Sequence, residues 1–169
     1  IYLTISALIT TLSLVSFYEP IRQAIPPFQL MFEGFDRPED RPHTLSWLWT
    51  QFAAGFAVML PMIWLFGQWG LESLVVIPIL INVIGDGLAE PVGVRFGKYR
   101  YKTKALFTNK EYFRTFEGSA CVLITGFIVI AMHADYFTAT QYALAMLSVP
   151  IIMTLTEAYS PHTWDTPFL

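Results

Sequence analysis

The sequence predicts an all-α fold: a polytopic integral membrane protein with about five transmembrane helices. Three observations lead there. Hydrophobic residues make up 54% of the chain and charged residues only 14%, where an ordinary soluble domain carries about 25% charged. Apolar runs recur at lengths that approach or reach the roughly 20 residues a helix needs to cross a bilayer. All ten Lys and Arg fall in alternate connections between those runs.

The first run, residues 1–17, is apolar throughout and lacks the basic start of a signal peptide, so it reads as a span. The chain begins at Ile1 and both ends look cut, which suggests a piece of a longer protein with one transmembrane domain over residues 1–169. Residues 46–66 and 70–89 are long enough to cross, joined by a tight link near Gly67 to Gly70. Residues 118–132 are short and are expected to start a turn earlier or to cross at a tilt; residues 138–158 complete the set. Pro61, Pro78 and Pro150 lie inside spans, where they act as tolerated kinks. Between the runs lie a Pro-rich loop (18–45), a basic loop (91–117), a short link near His133 to Phe137, and a tail (159–169). Within the first loop, "IPPFQLMFEGFDRPEDRPH" fits either an ordered interfacial segment or a flexible linker.

Arg22, Arg37 and Arg41 sit in the first loop; Arg95, Lys98, Arg100, Lys102, Lys104, Lys110 and Arg114 sit in the third. If five spans alternate, every cation lies on one face. The positive-inside rule assigns that face to the cytoplasm, stroma or matrix. The five Trp and eight Tyr suit the aromatic belts of a membrane boundary.

Asp86 and Glu90 stand where the third run closes. Four residues apart, they share one helix face. Carboxylates in a span are expensive and face a cavity or a partner. A Mg²⁺ ion held by one or two carboxylates and substrate phosphates would satisfy both; neutralisation by Arg95 and Lys98 is the plainer alternative. The basic loop is either a topology signal that also attracts anionic headgroups, or a polyphosphate clamp. Gly85, Gly87, Gly93 and Gly97 would let backbone N–H groups approach a ligand, although no G-x-x-x-x-G-K-[ST] loop is present. Glu117, in "RTFEGS", favours a helix start by itself. Glu157 closes the fifth run and Asp165 follows. Four helix ends therefore bring Asp86, Glu90, Glu117, Glu157 and Asp165 to one face with the seven cations of the third loop. His43, His133 and His162 have no metal-ligand spacing, and Cys121, Met146 and Met153 read as packing residues.

"GDGLAEPVGVRFGK" resembles the G-D-x-x-A-x-x-x-G-x-x-[FL]-G-[KR] element of the polyprenol kinase family, which includes dolichol kinases, phytol kinases and CTP-dependent diacylglycerol kinases. "RTFEGS" resembles that family's K-[ST]-[FLW]-[EA]-G-S element, and "EAYSPHTWDTPF" its closing E-[AT] and D-N-x-x-x-P element. The likeness covers roughly residues 75–169. Arg114 stands where Lys is usual, and Thr166 where Asn is usual. CTP:phosphatidate cytidylyltransferases share the first two elements, but their G-D-L-x-E-S run does not follow here.

The resemblance implies a membrane kinase that transfers the γ-phosphoryl group of CTP to a lipid alcohol. On that reading Asp86, with Glu90 or Glu117, holds Mg²⁺ on the phosphates. Arg95, Lys98 and Arg114 offset the triphosphate charge. Gly97, Gly118 and Ser119 let the backbone approach it, and Glu157 or Asp165 orients the alcohol or a second metal. The expected partners are a membrane lipid, a nucleotide and other membrane-protein subunits, with no nucleic acid. A cytidylyltransferase-like enzyme and a non-catalytic subunit of a larger membrane complex are the competing readings. A transporter fits less well, because its acids belong at mid-span.

Overall fold

The computed structural model describes residues 2–34, 36, 41–104 and 111–161. The chain packs as two compact units, Ile1–Pro61 and Met62–Leu169.

In the first unit, α1 (Tyr2–Ser13) runs into a 3-10 turn at Leu14–Phe17. Two short helices follow, α2 (Glu19–Ala24) and α3 (Pro26–Glu33), each with proline in its first turn, where the missing N–H has no helical partner to lose. Then comes α4 (Thr44–Gln68), which continues through Pro61 past the end of this unit. The unit's core is Leu14, Phe17, Phe32 and Leu48, with the Phe17 and Phe32 rings edge to face at 5.8 Å. Asp36 anchors the start of α4: it accepts from Thr44 Oγ1 at 2.6 Å and pairs with Arg41 Nε at 2.8 Å. Of the stretch Ile25 to His43, residues 26–33 are therefore ordered helix; residue 35 and residues 37–40 lie outside the described residues.

In the second unit a 3-10 turn (Glu72–Val75), α5 (Val76–Leu80), a π-helical turn (Ile81–Asp86) and α6 (Gly87–Phe96) join into one apolar stretch, Glu72–Phe96. An antiparallel hairpin follows, β1 (Arg100–Lys104) and β2 (Glu111–Thr115). The unit closes with α7 (Phe116–Met132) and α8 (Ala139–Tyr159). Thr138 caps α8 in a reciprocal box with Gln141, and Thr115 Oγ1 caps α7 by accepting from the Gly118 N–H at 3.1 Å. α7 is central: Ile81, Val122, Val129, Ile130 and Met153 form the core around it.

Two expectations need correction. Residues 91–117 are not one loop: helix continues through Pro91 to Phe96, and the rest contains a two-stranded hairpin, a small addition to a chain that fits the all-α expectation. The helix persists because Gly93 and Gly97 seat it against Thr115, and that packing outweighs proline's lost hydrogen bond. Secondly, among the described residues three helices are long and apolar enough to cross a membrane: Thr44–Gln68, Glu72–Phe96 and Ala139–Tyr159. The fourth expected span is α7, an apolar helix about 26 Å long at 1.5 Å per residue, which falls short. Leu144, Leu147, Ile152 and Leu155 of α8 and Ile124, Ile128 and Met132 of α7 are exposed. So continuous an apolar exterior is unfavourable in water and favourable in lipid.

Candidate functional site: a hairpin locked onto the helix ends

An isolated two-stranded hairpin is marginal in water, so what holds this one matters. Its register pairs Tyr101 with Arg114 and Thr103 with Tyr112. Those four side chains share the more buried face, because alternate residues of a strand point the same way. Arg100, Lys102 and Lys104 take the exposed face, where Lys102 pairs with Glu111 at 2.8 Å. The Phe116 N–H donates to the Tyr99 carbonyl at 3.0 Å, and the Tyr101 ring packs 5.1 Å from that of Phe116.

The buried face closes on a polar network. Arg114 Nη1 donates to Glu157 Oε1 at 2.7 Å and also to the Glu157 carbonyl, while Nη2 reaches Ser160 Oγ at 3.3 Å. Ser119 Oγ donates to the other carboxylate oxygen of Glu157 at 2.7 Å. That uses the serine's single proton, so the Tyr101 hydroxyl, 2.6 Å away, is the donor to Ser119. Thr103 Oγ1 donates to the Ser160 carbonyl at 3.3 Å, tying β1 to the end of α8. Glu157 is 4% exposed, and a charge so buried persists only with its partners in place. Burial raises the Tyr101 hydroxyl above its ordinary pKa, more than its bond to Ser119 lowers it.

A second cluster sits at the start of α7. The Lys98 backbone N–H donates to Glu117 Oε1 at 2.9 Å. That bond, more than any other cause, holds the Glu117 carboxyl below the usual carboxylate range. Glu117 Oε2 is shielded from solvent and has no hydrogen-bond partner among the described residues. Glycines bring α6 against this point. A methyl added at Gly118 would lie 2.7 Å from the Ala89 carbonyl oxygen, and one at Gly93 would lie 2.6 Å from Thr115 Oγ1. Gly85 meets Val122 in the same way. Asp86 and Glu90 therefore follow the very residues that touch α7.

Arg114, Ser119 and Glu157 are thus brought into direct contact, and Lys98 with Glu117. Gly97 and Gly118 pack at the α6–α7 seam. Asp86 is half-buried; Glu90, Arg95 and Lys98 are exposed. Asp165 lies outside the described residues, as do His162 and Thr166. Among the described residues no group of three His, Cys, Asp or Glu side chains is placed to hold a metal ion. Sequence reasoning missed Tyr101, Thr103 and Ser160. The alternation in "RYKTK" and "EYFRT" could have signalled the hairpin.

No protein-family model, no curated protein and no solved structure matches the chain.

Proposed function

We propose that the chain is a CTP-dependent lipid-alcohol kinase of the polyprenol, phytol or diacylglycerol type. The observation that carries the reading is the meeting of motif segments far apart in sequence. "RTFEGS" contacts Lys98 of the first motif through Glu117, and Glu157 of the last through Arg114 and Ser119. Phosphoryl transfer needs positioning and charge neutralisation more than covalent chemistry, and the parts suit that task. Exposed Arg95 and Lys98 offset the triphosphate charge. Glu117 Oε2, a buried acceptor without a protein donor, marks where a cation is favourable. Asp86 and Glu90 are the hard oxygen donors that would hold Mg²⁺, with phosphate and water completing its shell; the ion would neutralise charge on the transferred group. Arg114 and Glu157 neutralise each other, so their role is to brace the hairpin over the site. The lipid tail lies among the apolar helices, with its hydroxyl at the boundary. The basic segments face the cytoplasm, stroma or matrix.

One observation favours a second reading, a non-catalytic subunit of a membrane complex: Arg114 is committed to Glu157 and Ser160 rather than held open for phosphate. Incubating the purified full-length protein with γ-labelled CTP, Mg²⁺ and a panel of lipid alcohols separates the readings. Label in lipid, abolished by Asp86→Asn, is the expected result. No label and no CTP binding would overturn the kinase in favour of the subunit. Pyrophosphate release would point to a cytidylyltransferase.

A further inference from the structure

We propose that α2 and α3 form an elbow lying in the plane of the membrane interface, with Pro27, Leu30 and Met31 of α3 embedded at the boundary between headgroups and acyl chains. α3 is about 12 Å long and cannot cross a hydrocarbon core of about 30 Å. It nevertheless has two apolar faces. One carries Phe32, buried against Leu14, Phe17 and Leu48. The other carries Pro27, Leu30 and Met31, spaced as neighbours on a helix surface, with Leu30 72% and Met31 56% exposed. A polar strip completes the helix, where Gln29 Nε2 donates to Glu33 Oε1 at 3.0 Å. A helix that is apolar inward, apolar outward and polar along one side suits a lipid boundary rather than water.

Its depth follows from what Phe32 touches. Leu48 lies one turn inside α4, about 6 Å from its first residue, and Leu45, Trp49 and Phe52 pack on the same cluster. α3 is therefore held beside the first turns of a helix long and apolar enough to cross a membrane. The apolar exterior is also continuous along the chain, from Leu8, Ile9 and Leu12 of α1 through Val15 and Tyr18 to Ile25 and Leu30. The occupant is the bilayer that α4 is long and apolar enough to cross. Arg22 of α2 is tied to α3 on its inward side, its guanidinium 3.8 Å over the Phe32 ring.

The test uses the full-length protein in phosphatidylcholine–phosphatidylglycerol vesicles, in a Cys121→Ser background. Single cysteines at Leu30, Met31 or Glu33 are labelled with a bimane fluorophore. Nitroxide lipids labelled near the glycerol should quench the Leu30→Cys and Met31→Cys labels several-fold more strongly than the Glu33→Cys label. Aqueous iodide should show the reverse order. If iodide reaches position 30 as readily as position 33, the face is in water and the proposal fails. If neither quencher reaches it, a protein surface covers the face and the proposal fails too. Met31→Cys carries the test if Leu30→Cys does not fold, as judged by its helical circular dichroism. The outcome is independent of nucleotide chemistry, so it stands or falls apart from the kinase reading.

Discussion

Arg114→Met removes the guanidinium but keeps most of the side-chain volume, and it exposes what the buried pair is worth. The two side chains are 11% and 5% exposed and meet at 2.7 Å. Breaking such a pair from one side leaves an uncompensated buried charge, at a cost of about 3–5 kcal/mol. Here that charge is Glu157, left with Ser119 alone as side-chain donor. Glu157→Gln strands Arg114 instead and should cost a similar amount. The double variant removes both charges, so its cost should fall short of the sum of the two singles by about 0.5–3 kcal/mol, the coupling typical of contacting residues. Equilibrium unfolding in mixed micelles, followed by tryptophan fluorescence, measures all four corners of the cycle. Single variants within about 0.5 kcal/mol of the parent, or strictly additive costs, would refute the claim that this pair locks the hairpin.

Three further outcomes follow from the geometry. Gly118→Ala drives a methyl against the Ala89 carbonyl and should cost about 1–3 kcal/mol; Gly87→Ala, with nothing within 4 Å, should be neutral or stabilising in the same unfolding assay. The Tyr101 hydroxyl, raised by burial, should ionise above the ordinary tyrosine value when absorbance is followed against pH. Its contribution to stability is present below about pH 10 and is lost as pH rises through the folded value; Tyr101→Phe should remove that step. The Glu117 carboxyl is held low in the folded state, so its contribution is present above about pH 4.3 and is lost as pH falls through the folded value. Glu117→Gln should therefore flatten the acid limb of a stability–pH profile.

The site's legibility in the sequence was uneven. The acids and cations could be listed because charge is rare in this chain, and rarity alone singles residues out. Their partners could not. Glu157 and Arg114 lie far apart in sequence, and each had a sensible local reading: an acid closing a span and a cation in a basic loop. Only packing of the hairpin against α7 and α8 makes them a pair. The glycines show the same limit. As a cluster they fit ligand approach; in place, Gly85 and Gly118 bring the Glu72–Phe96 stretch to within a methyl's width of α7, and Gly93 brings it as close to Thr115.

The sequence by itself determined that this is a mainly helical chain built for an apolar surrounding, because composition and run length act locally and need no partner. It also determined that the rare cations gather in two connections. The tertiary structure decided where α6 ends, at Phe96 beyond Pro91, with Gly93 and Gly97 seated against Thr115. It decided that α7 is core and shorter than a span, and that "RYKTK" is a strand. It also turned Arg114 and Glu157 from separate charges into one buried pair. Each of those depends on contacts between residues distant along the chain, and no local pattern encodes them.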